Sequence, residues 1–265
     1  VVYDDENGKA TNGGGMQISQ TCTWIPFFAE MLNIICSKYD KKSLCELFHV
    51  IFKDCSGVED KYSDGTSGPM REVDPLSFIS YFNRKQNEKD RYAFCKKAKD
   101  LLHMSSAVPT DTYGLPTCLP HNALFFGYST MNAPDAIDNV WQYCRELNAD
   151  EVTEASFNRV LENRNVAIPK LTQLTYICKP HKYMVLNSTV SKYFKSKGIT
   201  ISVDNYAEYL RTIDQIRERF SGMSFPELVE KAFEYVNSLS KDNFTWLKFF
   251  EEMLDITCSR YNKNT

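Results

Sequence analysis

No apolar run in this chain approaches the roughly 18 residues needed to cross a bilayer, so no membrane partner is expected. Val1 to Gly15 is polar and glycine-rich and lacks the apolar centre of a secretory signal. It reads as a tag, linker or flexible arm, with Met16 as a native start. There is no Cys-x-x-Cys pair: the nine cysteines are odd in number and dispersed. Cys36, Cys45, Cys95 and Cys144 sit in helix-like segments among apolar neighbours, where a free thiol behaves as a small hydrophobe. Cys178 with His181 is the nearest approach to a metal half-site, and it has no second pair at zinc spacing. No structural metal is therefore expected, and a reduced, cytoplasmic protein is the reading. Histidines number four, and no Ser/His/Asp or Cys/His set has a catalytic spacing. The phosphate-cradling G-x-x-x-x-G-K-[ST] is missing too. An enzyme, and any cofactor, are not expected in this stretch of chain.

One further absence is local. From Asn163 to Val203 there is no Asp or Glu, although the chain as a whole carries a net charge of −3. The same stretch holds Arg164, Lys170, Lys179, Lys182, Lys192, Lys195, Lys197 and His181. Such a run concentrates positive potential, the footprint of a polyanion site. Thr172, Gln173, Asn187, Ser188 and Thr189 add short polar side chains suited to phosphates or base edges. The candidate nucleic-acid contacts are therefore Lys170, Thr172, Gln173, Lys179, Lys182, Ser188, Lys192, Lys195 and Lys197. The other reading is a solvated face whose lysines pair with acids from elsewhere in the fold.

Taken in order, the pattern is helical. Thr23 to Lys38 has a threonine cap candidate, proline in its first turn, and Trp24, Phe27, Phe28, Met31, Leu32 and Ile35 at helical spacing. Ser43 to Lys53 repeats that pattern. An acidic loop, Asp54 to Gly68, separates this hairpin from an aspartate-capped, aromatic helix at Asp74 to Arg84. Asn87 to His103 is amphipathic, with Lys89, Arg91, Lys96, Lys97 and Lys99 either extending the basic site or facing solvent. Val108 to Tyr128 is broken by prolines and glycines and reads as loop. It ends in Phe125, Phe126 and Tyr128, which together with Tyr176 are candidates for stacking on bases. Asp135 and Asp138 open the next helix and suit its dipole rather than a catalytic carboxylate pair. Thr153 to Asn163, Pro169 to Cys178 and Ser188 to Lys197 follow as helices, the last closed by Gly198. Ile199 to Val203 reads as a short strand, and Asn205 to Ser221 and Ser224 to Leu239 as two more helices. The expected fold is mainly α: one multi-helix domain of about nine helices with at most a small β element.

Thr245 to Lys263 matches Thr23 to Lys41 at a constant offset, with Thr, Trp, Phe, Phe, Glu, Met, Leu, Ile, Cys, Ser, Tyr and Lys in register. Residues 16–242 thus read as one unit, 1–15 as the arm, and 243–265 as the start of a second tandem copy. Its apolar face (Trp246, Phe249, Phe250, Met253, Leu254) lacks its own partners and is expected to pack on this domain or on a neighbouring chain.

Five stretches carry a resemblance: T-W-I-P-F-F-A-E-M-L at Thr23, D-P-L-S-F-I-S-Y-F-N-R at Asp74, the V-P…G-L-P run near Val108, F-F-G-Y at Phe125 followed by D-A-I-D-N-V-W at Asp135, and L-T-Y-I-C-K-P-H-K-Y-M-V-L-N-S at Leu174. Together they resemble the N-terminal region of McrB-type proteins of modification-dependent restriction systems. The resemblance runs from Thr23 to about Leu239. It implies a specificity module for double-stranded DNA, methylated or not, with modified cytosine as the base to be read. It also implies two partners: a GTP-hydrolysing AAA+ motor in the same polypeptide and a separate McrC-type nuclease subunit. Where that pattern has an L-D-S-R-like run, this chain has Leu186-Asn187-Ser188-Thr189. The same segment is similar to the helix-hairpin-helix layout of base-excision glycosylases. Asn187 stands where their catalytic Asp would sit and cannot act as an acid or base. The competing expectation is an assembly scaffold of the defence complex that never touches DNA.

Overall fold

The structure, a computed structural model, describes residues 22–53, 55, 59–62, 64–84, 88–118, 125, 133–164, 166–242, 250, 253, 254, 256 and 257. Within them the chain is mainly helical, with ten helices and one two-stranded antiparallel sheet. In order come α1 (Trp24–Lys38), α2 (Lys41–Phe52), β1 (Glu59–Lys61), β2 (Ser67–Pro69), α3 (Pro75–Tyr81) and α4 (Glu88–Leu102). After them come α5 (Ala136–Ala149), α6 (Glu154–Leu161), α7 (Ile168–Cys178), α8 (Ser188–Ser196), α9 (Tyr206–Arg219) and α10 (Phe225–Asp242).

Helix starts follow from side chains that satisfy otherwise orphaned backbone N–H groups. Asp40 caps α2 in a reciprocal box with Ser43, and Asp74, Thr153, Asn187 and Asn205 cap α3, α6, α8 and α9. At α10 the Glu227 carboxylate accepts from the Ser224 N–H (2.6 Å), while Ser224 Oγ faces the Glu227 N–H (3.4 Å). Thr23 departs from expectation. Its backbone is already helical and its side chain caps nothing at α1; instead Thr23 Oγ1 donates to Asp111 at 2.5 Å. A distant carboxylate outcompetes the local amide here, and the interaction ties the head of α1 to the 109–118 loop.

Helix α1 lies at the centre, against α3, α5 and α7, with α2 and α4 outside α3 and with α6 and α9 beyond α5. It buries Trp24, Phe27, Phe28, Met31, Leu32 and Ile35 almost completely. Beside it Phe48, Phe52, Phe78, Tyr81 and Phe82 pack with ring centroids 4.7–6.2 Å apart in tilted and edge-on pairs, the arrangement aromatic quadrupoles favour. A separate seam joins α8 to α10 through Tyr193 and Tyr235.

Two loop expectations change. The acidic segment after α2 contains the hairpin, paired Glu59 to Pro69 and Lys61 to Ser67. Ile199 to Val203 is not a strand: Ile199 and Ile201 pack on the core as irregular chain, and among the described residues the one sheet is the β1–β2 pair. Of the C-terminal apolar face, Trp246 and Phe249 lie outside the described residues. Phe250, Met253 and Leu254 are helical but 54, 50 and 62% exposed, whereas their counterparts Phe28, Met31 and Leu32 are 0–1% exposed. Among the described residues no helix is long and apolar enough to cross a membrane.

The tightest junction is at Gly114. Its φ is +66°, and a Cβ there would lie 2.4 Å from the Pro226 carbonyl oxygen. Its N–H donates to Glu230 (2.8 Å) and its carbonyl accepts from the Tyr176 hydroxyl (2.6 Å). Gly114→Ala combines left-handed strain with a backbone clash and is expected to destabilise the fold by about 2–4 kcal/mol. Chemical denaturation at constant m-value checks it.

Candidate nucleic-acid interface

The structure breaks the acid-free stretch into three parts with different fates. Helix α7 belongs to the core: Leu171, Thr172, Leu174, Thr175, Tyr176, Ile177 and Cys178 are all buried. Thr172 is fully buried, its Oγ1 donating to the Ile168 carbonyl (2.7 Å) and accepting from the Leu186 N–H (3.1 Å). It braces the chain entering α8 and cannot meet a phosphate. The Gln173 amide contacts the Thr117 carbonyl and Cys118 Sγ and accepts from Asn187 Nδ2. Its hydrogen-bonding capacity is used inside the protein.

Lys170 also turns inward. Nζ donates to the Phe125 carbonyl at 2.8 Å and lies 5.5 Å from that ring's centroid. The Phe125 N–H donates to Ser77 Oγ (2.6 Å), and Ser77 in turn donates to the buried Asp74 carboxylate (2.5 Å). Burial pushes the Lys170 ammonium down to about 8, with the Asp74 charge acting against that shift. Burial likewise raises the Asp74 carboxyl, against the hydrogen bonds from Ser77. This lysine secures the 125 region to α7, so its assignment as a phosphate contact is corrected.

Lys179 and Lys182 meet an acid that their own stretch lacks. Asp150 ends α5 in the left-handed conformation (φ 63°); Lys179 Nζ sits 2.9 Å from its carboxylate and Lys182 Nζ 3.8 Å. Lys179 also donates to the Asn148 carbonyl and Lys182 to that of Asp150. Both cations therefore neutralise the carbonyl end of α5. The solvated-face alternative holds for this pair. On α4 the lysines behave similarly: Lys97 Nζ donates to the Val50 carbonyl, and Lys99 Nζ to those of Met104, Ser105 and Ser106.

What stays free is α8. Ser188, Lys192 and Lys195 follow at i, i+4 and i+7 and are exposed, as is Lys197 at the helix end. Among the described residues Lys192, Lys195 and Lys197 form no ion pair with a carboxylate. The opposite face (Val190, Tyr193, Phe194) packs down toward α10 and Phe220. Asn187, the departure from the L-D-S-R-like run, is the cap of this helix: its Oδ1 accepts from the Val190 N–H at 3.1 Å.

The stacking candidates do not form a platform. Phe125 and Tyr176 are fully buried, the latter 5.8 Å from the Trp24 ring. A base cannot reach either ring without disrupting the core. Phe126 and Tyr128 lie outside the described residues. Asp138 is not one of a carboxylate pair either, since it pairs with Lys41 at 3.0 Å. Cys178 is buried and His181 exposed, and among the described residues no cluster of three or more His, Cys, Asp or Glu is placed to hold a metal. The eight described cysteines are free thiols. Burial pushes Cys36 and Cys118 up to about 11 and Cys45 and Cys95 up to about 12, so none of these four is a ready nucleophile.

Lys170 supplies a test of its inward placement. Its folded-state pKa lies below the ordinary 10.5, so between about pH 8 and 10.5 the unfolded chain holds more protons at this site. Stability contributed by this group therefore rises with pH across that window. Lys170→Met should remove the rise. The wild-type stability advantage should grow by on the order of 1–2 kcal/mol between pH 7.5 and 9, read as paired denaturation curves. A pH-independent difference would place Nζ in solvent.

No curated protein and no solved structure matches the chain. The profile of a family described as "Domain of unknown function (DUF8425)" matches residues 24–235, from the first turn of α1 to well inside α10. The matched span takes in the core helices, the 109–118 loop and the exposed face of α8, and by it the chain belongs to the DUF8425 family.

Proposed function

We propose that this domain is a DNA-binding specificity module of a McrBC-like antiviral restriction system, working in the cytoplasm. The observation that carries the reading is the exposed, acid-free face of α8. Ser188, Lys192, Lys195 and Lys197 stand together on a helix whose other face is buried and whose first turn is capped by Asn187. A rigid helix presenting cations on one side follows a phosphate backbone well. The resemblance supplies the choice of DNA among polyanions, and with it the AAA+ motor and the McrC-type nuclease as partners. Catalysis then belongs to those partners. The reading of modified cytosine rests on the resemblance alone, since the two described aromatic candidates are core residues.

A scaffold reading has one observation in its favour. Phe250, Met253, Leu254 and Ile256 are exposed on helical chain at the C-terminal end, and apolar groups so placed suit contact with another protein.

The two readings separate by salt. Three lysines neutralising phosphates give a slope of log K against log salt of about −2.7 on duplex DNA. Lys192→Ala with Lys195→Ala should reduce that slope by about 2 and weaken binding to all sequences alike. Fluorescence anisotropy with unmodified and cytosine-methylated duplexes reads both effects. Absence of binding at low salt sinks the DNA reading and leaves the scaffold.

A further inference from the structure

Helix α1 meets the rest of the fold through two kinds of contact. Its apolar face is buried beside α3, α5 and α7. Three polar side chains reach distant parts of the chain. Thr23 Oγ1 donates to the Asp111 carboxylate (2.5 Å), and the Trp24 indole N–H donates to the Tyr113 carbonyl (2.9 Å). The Glu30 carboxylate accepts from the backbone N–H groups of Ser105 and Ser106 (2.7 Å each). Apolar burial is non-directional, so these hydrogen bonds fix the register of the helix in its seat.

Residues 245–263 repeat residues 23–41, and the repeat follows the seat rather than mere amphipathicity. All three register-setting residues recur, as Thr245, Trp246 and Glu252. Five of the seven buried α1 positions are identical, as Trp246, Phe249, Phe250, Met253 and Leu254. Of the other two, Ile25 becomes Leu247 and Ile35 becomes Thr257. The Thr257 hydroxyl donates to the Met253 carbonyl (2.6 Å), so it brings no unpaired polar atom to an apolar surface. The remaining changes are at exposed Pro26, Asn33, Lys38 and Asp40 and at partly buried Ala29. An amphipathic helix without a defined partner needs apolar residues on one face, not these same ones, and has no use for the threonine and the glutamate. Close-packed neighbours restrict which side chains fit, and solvent does not. Yet Phe250, Met253, Leu254 and Ile256 are half exposed or more, while α1 fills the seat in this domain.

We propose that residues 245–263 are a second α1 whose partner is the α1 seat of a further unit of this fold. That seat offers an apolar face like that of α3, α5 and α7. At its head a carboxylate and a carbonyl receive Thr245 and Trp246, and two backbone N–H groups receive Glu252. Successive units are then joined by a helix that leaves one domain and completes the core of the next. The proposal names a protein partner for the C-terminal face and stands apart from DNA binding at α8.

The test uses this chain's own seat as the partner. In the full chain, Phe28→Asp with Met31→Asp places two unpaired charges at buried positions and expels α1. The segment 245–263, from the same or another copy, should then take the vacated seat, so that a cooperative thermal transition survives. Adding Phe250→Asp and Met253→Asp should abolish that transition. Identical melting of the two variants overturns the proposal. If the aspartate pair in α1 yields no soluble protein, Phe28→Ala decides. In that background Phe250→Asp with Met253→Asp should lower Tm by about 3 °C or more, and in the wild-type chain by less than about 1 °C. An equal shift in both backgrounds means that the segment does not serve the α1 seat, and overturns the proposal.

Discussion

The structure depends on how the 109–118 loop is clamped between α1, α7 and α10. Three separated parts of the chain reach this short segment. Trp24 donates its indole N–H to the Tyr113 carbonyl (2.9 Å), Thr23 bonds to Asp111, Tyr176 donates to Gly114, and Glu230 accepts from Gly114. The close approach of Pro226 permits only a residue without a Cβ. Large aromatic side chains bring their apolar bodies to the core while their single polar atoms meet main-chain groups of the loop. The loop thereby has its polar groups satisfied without belonging to any helix or sheet.

Burial, rather than composition, sorts the basic stretch. A lysine in an acid-free run acquires neighbours through folding, and the nearest charge in space is then unrelated to the nearest charge in sequence. Asp150 comes to Lys179 and Lys182 from the end of α5, and Asp74 comes near Lys170 from the start of α3. Only α8 escapes, because its buried face is supplied by Val190, Tyr193 and Phe194 while the lysines occupy the other positions of the turn. Four of the nine expected contacts are both exposed and outside any ion pair among the described residues, and all four lie on or at the end of α8. A smaller but coherent cationic face predicts weaker, salt-sensitive attachment better than a grip on many phosphates.

The repeated segment carries the same lesson in reverse. Phe28, Met31 and Leu32 disappear into the core beside α3, α5 and α7, whereas the same residue types at 250, 253 and 254 are half exposed or more. The side chains are alike, so their burial is set by packing rather than by residue type.

Helix content, most helix bounds and the mainly α class were legible in the sequence, because the 3.6-residue apolar period, the capping residues Asp74 and Thr153 and the prolines early in α3 and α7 act over a few residues. The absence of a P-loop and of Cys-x-x-Cys pairs was equally plain. Contacts between positions distant in sequence were not. That Thr23 answers Asp111, that Lys170 points inward and that Phe125 and Tyr176 are core all depend on which helices pack together. A hydrogen bond or an ion pair is set by a few ångströms of space, and sequence patterns of short period do not carry that distance. The sequence by itself determined the helices and their apolar faces. Only the tertiary structure decided which polar side chains are spent inside the fold and which, on α8, stay exposed.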